Sequence, residues 1–350
     1  MAGTLRTTIA AAVAIAGLLA ALLGAGRPGP SQAFGQARQF TLATVNNMNH
    51  LPEFVGVEKG IFVKHGIDLK IKVLNSGAEV MRAFQAGDAQ LLTLSPTTIA
   101  SAYNTGVRLV AAIVVMGDPT RVYYDDMFAI TSRPDSGIRR LHVEDLAGKR
   151  VGMVLAGTGE VYFRAVLSRQ KIAADRITFV NVPAPNHVSV MRAGGVDAEV
   201  TWEPYGTMIL QQIPGSYVVQ RGGGYIGYDL YVGSSEDFVK KSPDVIQQLV
   251  DGFAEAQWSI RRNPVEAAQI AMRWIEGLDE ISARKAVTYM NFDPRFSRNT
   301  IAAADLEQRS LLALGRIKQP VDFSQVLNVS FVEKAMRMEP QFFADLRPVR

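Results

Sequence analysis

The chain has 350 residues, of which 48% are apolar, with 37 basic and 33 acidic side chains, a formal net charge of +4 and no cysteine. Length and composition fit two domains or one large one, with ample length for a real core, and exclude wholesale disorder. The small basic surplus is scattered, without the basic stripe and interleaved aromatics of a nucleic-acid binder, and the lack of cysteine excludes both a disulfide framework and a lipid-modified N-terminal cysteine.

Residues 1–33 carry no acidic group, hold Arg6 near the start and run apolar over 9–23. Gly24, Gly26, Pro28 and Pro30 follow, and Ser31-Gln32-Ala33 closes the segment. A positive start, a short apolar run and a small-residue exit make the pattern of a secretory signal peptide, predicted over 1–33. A second candidate cut follows Ala37, and an uncleaved anchor is the alternative, although the run is short for a membrane span. No later segment reads as a membrane span, so the mature protein is expected to be soluble. With no cysteine to lipidate, a binding protein is retained only where a second membrane encloses it, so a periplasmic location is expected, with release to the medium as the alternative.

From Phe40 the spacing predicts a strand over 40–45, a helix over 51–60 ending on Gly60, and an alternating strand over 67–74. A helix over 79–86 stops at Gly87, a strand follows over 89–94, and 107–116 is another apolar run. A second series begins with a strand over 150–154, a helix over 160–171 and a strand over 177–182. After Ser234 the pattern is helical almost to the end, punctuated by Pro264, Pro294 and Pro320. Short β-rich runs alternating with helices predict an α/β protein with parallel sheets and covering helices. The two series resemble each other. Met81-Arg82-Ala83 leads through Gly87-Asp88-Ala89 to Ser95-Pro96, and Met191-Arg192-Ala193 leads through Gly195-Val196-Asp197-Ala198 to Glu203-Pro204. Two lobes built alike are expected.

In open parallel sheets ligands bind beyond the carboxyl ends of the strands, where helix starts present unpartnered N–H groups and partial positive charge. The candidates are therefore Asn46, Asn47 and Met48; Ser76 and Gly77; Ser95, Pro96 and Thr97; Thr158 and Gly159; and Trp202 and Glu203. Ser76, Ser95 and Thr158 equally fit helix caps, Pro96 a first helical turn, and Asn46 and Asn47 ordinary turns. Trp202 fits either a pocket wall or the core. Glu203 at a helix start suits the dipole alone; facing the cleft, it would take an amine or a ring N–H. Asp125 and Asp126 are adjacent on an extended segment and so point to opposite sides, and Asp126 is the candidate for the cleft. The four histidines His50, His65, His142 and His187 have no metal-ligand spacing, and no nucleophile elbow or phosphate-binding loop occurs. No catalytic residue, metal or cofactor is predicted.

Several segments stand in a shared order over nearly the whole mature chain. They are Glu58-Lys59-Gly60-Ile61-Phe62, His65-Gly66-Ile67-Asp68-Leu69, Phe84-Gln85-Ala86-Gly87-Asp88-Ala89, Asp145-Leu146-Ala147-Gly148-Lys149-Arg150-Val151-Gly152, and Gly195-Val196-Asp197-Ala198 through Trp202-Glu203-Pro204-Tyr205. This set resembles the solute-binding proteins of nitrate, sulfonate and taurine transporters, a superfamily that includes binders of thiamine-pyrimidine precursors. The resemblance implies a type II periplasmic-binding-protein fold whose chain crosses between lobes near 126–131 and 224–232. Lobe 1 would hold 38–128 and 229–350 with the C-terminal helices, lobe 2 would hold 129–228, and a ligand would close them by hinge motion. It further implies a monomeric periplasmic component of an ABC importer. Its ligand would be a small organic solute, either an aminated sulfonate such as taurine or a nitrogen heterocycle such as a thiamine pyrimidine precursor. Its partners would be a permease in the inner membrane and that permease's ATPase. Asn46, Asn47, Met48, Ser95, Thr158, Trp202 and Glu203 fall at positions that commonly face ligand in such families. No basic residue is placed at a matched cleft position; Arg82 and Arg121 are the candidates. The alternatives are a pyrimidine-precursor synthase-like enzyme on the same fold, whose cysteine-rich motif is missing here, and a ligand sensor for a membrane receptor.

Overall fold

The computed structural model describes residues 37–349, so the expected signal peptide over 1–33 lies outside the described residues. Ten strands form two five-stranded sheets. In chain order they are β1 (Arg38–Val45), β2 (Ile67–Leu74), β3 (Leu91–Leu94), β4 (Leu109–Met116), β5 (Phe128–Ser132), β6 (Arg150–Met153), β7 (Thr178–Asn181), β8 (Ala198–Trp202), β9 (Tyr217–Arg221) and β10 (Leu230–Ser235). The first sheet has the order β2-β1-β3-β10-β4 and the second β7-β6-β8-β5-β9.

The two orders follow one plan. β1 runs parallel to β2 and β3, as β6 does to β7 and β8. Each sheet is then completed by an antiparallel strand that arrives from the other lobe, β10 in the first and β5 in the second. This is the two-lobed α/β architecture expected from the paired motifs. The free edge of β4, whose LVAAIVVM run is apolar throughout, is covered by the C-terminal region. Val114 donates its N–H to Pro294 and Gly117 to Asn291, while Ala111 accepts from Asn328, so the edge offers no open ladder.

Five helices position the site: α1 (Leu51–Glu58), α2 (Ile61–Lys64), α3 (Gly77–Gln85), α4 (Pro96–Asn104) and α5 (Thr158–Arg169). The helix expected over 51–60 is α1, which ends at Glu58 and is closed by Lys59 and Gly60. Gly60 takes a left-handed conformation at φ 66°, which glycine adopts without steric cost, and α2 follows beyond it. α3 and α5 each begin two residues before the expected start. Small and polar residues suit a first turn, whose N–H groups lack intrahelical partners anyway, but they carry no apolar period by which to read it.

The chain passes between the sheets through 117–127 and 222–229, and these stretches are clasped together. Asp125, buried, accepts the N–H of Gly224 at 3.0 Å and of Tyr225 at 2.7 Å. At Gly117 an added Cβ would lie 2.0 Å from Asp229 Oδ1, so only glycine allows the approach. The extended runs read from sequence as crossings overlap the first residues of β5 and β10, since strand and connection are one continuous extended stretch. Among the described residues no helix is long and apolar enough to cross a membrane.

Candidate functional site

A cavity of about 570 Å³ lies beyond the carboxyl ends of the parallel strands, lined from both lobes. The first lobe contributes Asn47 and His50 after β1, Ser76 and Gly77 at the start of α3, and Ser95, Thr97 and Thr98 at the start of α4. The second contributes Gly157 and Thr158 at the start of α5, Asn181 at the end of β7 with Pro183 beyond it, and Trp202 at the end of β8. Phe128, Tyr228 and Leu230 come from the ends of the two connections.

Capping and lining turn out to be one role rather than two. Ser76 accepts the N–H of Glu79 at 3.3 Å, and Ser95 Oγ accepts that of Thr98 at 3.2 Å. Both residues also form the cavity wall, as strand-to-helix junctions at a sheet's carboxyl end must. Ser95 Oγ further hydrogen-bonds Thr97 Oγ1 at 2.7 Å, and Thr97 Oγ1 meets Thr158 Oγ1 of the opposite lobe at 3.2 Å. Thr158 is not a cap: it is the first residue of α5, behind Gly157, so its hydroxyl serves the cleft alone. The starts of α3, α4 and α5 therefore converge on the cavity with hydroxyls and partial positive charge. Behind this wall, the Thr97 N–H donates to Glu307 Oε2 at 3.2 Å. Burial pushes the Glu307 carboxyl well above its ordinary range, against the opposing effect of that N–H.

Of the thirteen sequence candidates, Asn47, Ser76, Gly77, Ser95, Thr97, Thr158 and Trp202 line the cavity together. Six do not. Asn46 instead gives its carbonyl to Tyr205 Oη of the other lobe at 2.8 Å. Met48 is fully buried, Pro96 packs in its first turn, and Gly159 lies against the Trp202 ring. Asp126 points outward and pairs with Arg121 at 2.5 Å, while its neighbour Asp125 takes the inward position. Glu203 is buried away from the cavity. One oxygen pairs with Arg221 at 2.5 Å and the other accepts the Thr207 N–H at 3.2 Å, so its carboxylate is not free to meet a ligand amine. Arg221 is in turn stacked 4.0 Å over Tyr289. Trp202 offers its ring to the cavity while Nε1 is sealed without a partner.

Of the two basic candidates, Arg82 lines the cavity at its exposed rim, next to Glu79, whereas Arg121 is held by Asp118 and Asp126. The sequence reading missed His50, Thr98, Asn181, Pro183, Phe128 and Tyr228. Asn181 ends β7 and Pro183 follows it, so both obey the same strand-end rule. His50 lies on the turn between β1 and α1, a short step past the candidates Asn46 to Met48. Phe128 and Tyr228 carry no local signal, because only the folding of the connections brings them here. Among the described residues no cluster of side chains could hold a metal ion.

The lobes are also joined beside the cavity by Arg316, whose Nη2 lies 2.7 Å from both carboxylate oxygens of Glu160 in the first turn of α5. Arg164 at 2.8 Å and the Ala156 N–H at 2.9 Å complete the shell of Glu160.

Residues 47–267, more than half of the chain, match the family model described as NMT1/THI5 like. A binding protein of Brucella abortus is 20% identical over 225 residues, 63% of this chain and 66% of that protein, so the match spans just under two thirds of that relative's length. The taurine-binding periplasmic protein of Escherichia coli is 22% identical over 236 residues, 65% of this chain and 69% of that protein. Among solved structures, the alkanesulfonate-binding protein SsuA of Xanthomonas axonopodis pv. citri bound to MOPS superposes with a TM-score of 0.71 at 15% identity, covering 84% of this chain and 99% of that one.

Proposed function

Because the chain belongs to the NMT1/THI5-like family, we propose that it is the solute-binding component of an ABC-type importer, exported to the periplasm. It would hold a small organic anion between its lobes and deliver it to a membrane permease with its ATPase. The observation that carries this reading is the cleft where hydroxyls and helix starts of two like-built lobes meet, with Thr97 and Thr158 in contact across it. About 570 Å³ lies within the range of small-molecule sites and is far more than nitrate requires.

The ligand class best served is an organosulfonate. Its oxygens would be received by Ser95, Thr97, Thr158 and the starts of α4 and α5, and its carbon skeleton would lie against Trp202, Phe128 and Tyr228. The taurine-binding relative supports that class. The amine of taurine has no partner in Glu203, which is held by Arg221; Glu79 at the rim is the carboxylate within reach of the cavity.

The test is a thermal-shift screen of the chain from residue 38 against ethanesulfonate, taurine, longer alkanesulfonates, nitrate and aminopyrimidines, followed by calorimetry. A sulfonate should raise the midpoint, with about 2.7 kcal/mol of stabilisation at a hundredfold excess over its dissociation constant. The shift should be lost in T97V combined with T158V. A shift with aminopyrimidines and none with sulfonates would overturn the ligand class.

A further inference from the structure

His50 is one of the most buried groups of the cavity wall, 2% exposed, and its two ring nitrogens have different surroundings. Nδ1 is tied back into the lobe, 2.7 Å from Thr44 Oγ1 and 3.1 Å from Glu53 Oε1. Thr44 Oγ1 also lies 3.3 Å from Glu53 Oε1 and takes the Thr93 hydroxyl from behind. Nε2 has no partner among the described residues. Unlike both nitrogens of buried His187, it is not sealed from solvent, so it is the polar atom His50 can offer to a ligand. The short turn Met48–His50, capped by the Asn47 side chain on the Asn49 N–H at 2.8 Å, sets the ring in place.

Glu53 is 0% exposed, and its second oxygen, Oε2, is sealed with no donor at all. An ionised carboxylate with one bare oxygen in such a site is costly, whereas a carboxylic acid needs only one good partner. Burial accordingly pushes the Glu53 carboxyl above its usual range, although the proximity of His50 and its hydrogen bond act the other way.

No other charge reaches the pair. β1 and β3 turn Thr44 and Thr93 to it, and β4 has no titratable residue. On β2, Asp68 pairs with Lys70 and Lys72 with Asp88. The helix Pro243–Arg262, which packs on α1, directs Glu255 to Lys64 and His65 of the α2 region and Asp251 to Gln247. The helix Pro264–Trp274 directs Glu266 to Lys59 and Arg273 to Glu58. Tyr228, beside Asn49, has its phenol pushed up by burial and stays neutral.

We infer that His50 Nε2–H is a ligand-contacting donor of the cavity and that Glu53 fixes this tautomer from behind, so that the site selects a ligand presenting an acceptor oxygen at that point. While Glu53 holds its proton, Oε1–H donates to Nδ1 and the imidazole hydrogen must sit on Nε2. Transfer of that proton to Nδ1 gives an imidazolium and a carboxylate, and Nε2–H remains a donor. Only when the pair loses its proton to solvent does the Glu53 carboxylate draw the remaining hydrogen onto Nδ1 and leave Nε2 a bare acceptor, which repels an oxyanion. The inference deepens the organosulfonate reading above and rests on it for the ligand, but the tautomer can be tested without one.

The experiment is proton–nitrogen NMR of the histidine rings in isotope-labelled protein, with H50Q identifying the His50 signals among the four histidines. The expected spectrum shows the Nε2–H tautomer at the lower end of the pH range in which the protein stays folded and its conversion to Nδ1–H as the pH is raised. In E53Q the side-chain amide donates to Nδ1 and should hold Nε2–H throughout. An Nδ1–H tautomer across the whole range, or no difference between wild type and E53Q anywhere in the titration, would overturn the role of Glu53. Ethanesulfonate should then move the His50 signals and leave His65 and His142 in place. H50Q should bind it roughly 10-fold or more weakly, as expected for one lost hydrogen bond to a charged acceptor, and E53Q should retain binding to higher pH. Ethanesulfonate binding equally well to H50Q would overturn the contact and leave the transport reading intact. Failure of ethanesulfonate to bind at all would overturn the ligand class and the acceptor half of this inference, while the ligand-free spectrum still decides the Glu53 half.

Discussion

Replacing Asp229 by Asn should make the protein more stable, by an amount that grows with pH. Asp229 ends the second connection between the sheets, 3% exposed, with its carboxyl pressed onto Gly117. Burial pushes its pKa up to about 8 from an ordinary 3.8; the Asp118 N–H opposes this, and the Asp118 and Asp293 carboxylates add to it. A carboxyl whose folded pKa exceeds its unfolded one takes up a proton on folding. Its contribution is therefore intact below about pH 4 and declines as the pH climbs towards 8, at roughly 1.4 kcal/mol per pH unit. Between pH 5 and 8 the wild type should lose about 3–4 kcal/mol relative to D229N, whose amide keeps the shape and does not titrate. Glu53, Glu199 and Glu307, which burial also pushes up, titrate in both proteins and largely cancel from the difference. Guanidinium unfolding at pH 5, 6, 7 and 8, followed by tryptophan fluorescence, measures it. A gap that stays within about 1 kcal/mol across that range would refute the placement of a protonated Asp229 at the joint.

R316A removes the interlobe pair with Glu160. Because Arg316 is 30% exposed and Arg164 stays in place, stability should fall by only about 1 kcal/mol, but small-angle scattering should show a wider separation of the lobes. An unchanged profile would mean that the pair does not hold them. Burial alone would raise the Glu160 carboxyl, yet hydrogen bonds from Arg316, the Ala156 N–H and Arg164 outweigh it and hold it below its ordinary 4.5. The pair's contribution is thus present above pH 4.5 and lost as the pH falls through the lower folded value. G117A places a methyl 2.0 Å from Asp229 Oδ1 and 2.9 Å from Val114 Cγ1. It should cost roughly 1–3 kcal/mol or more and lower the melting temperature by several degrees, and an unaltered melting temperature would refute the close contact of the two connections.

What the sequence made legible was whatever a local pattern dictates. Strand ends and helix starts follow from periodicity and small polar residues, and on a parallel sheet they fall at one end. Asn47, Ser76, Ser95, Thr97, Thr158 and Trp202 could therefore be gathered before any coordinates. The fate of Glu203 could not be read so, because Arg221 reaches it only after β8 and β9 flank β5 in one sheet. Asp125 and Asp126 show the same limit at closer range. Alternation requires them to part, but two identical side chains give no sign of which turns towards Gly224 and Tyr225 and which towards Arg121. The strand β9, YVVQR, is short but lies between Pro214-Gly215-Ser216 and Gly222-Gly223-Gly224, turn signals that could have marked it, whereas β5 continues directly from a connection and has a turn signal only after it, at Pro134 to Gly137.

The acids behind the cavity explain why a search for a basic residue in the cleft finds only Arg82 at its rim. Glu53 stands behind His50, and Glu307 stands behind the Thr97 N–H; each has one oxygen sealed without a partner. Burial pushes both carboxyls up. Were they ionised, they would set two negative charges behind the wall that, on the reading proposed above, receives an anion. Protonated, they hold an imidazole and a backbone N–H in position without that repulsion. The wall can then meet an oxyanion with oriented hydroxyls, helix starts and one ring N–H, none of which needs a counter-charge of its own. The same neutrality carries a consequence for stability. An acid that keeps its proton in the fold loses its contribution between its unfolded and its folded pKa, which for Asp229 is the range from about 4 to 8. Loss of the Glu53 proton should weaken both ligand affinity and the fold, and E53Q should separate the two by preserving the first while leaving the Asp229 share of the second unchanged.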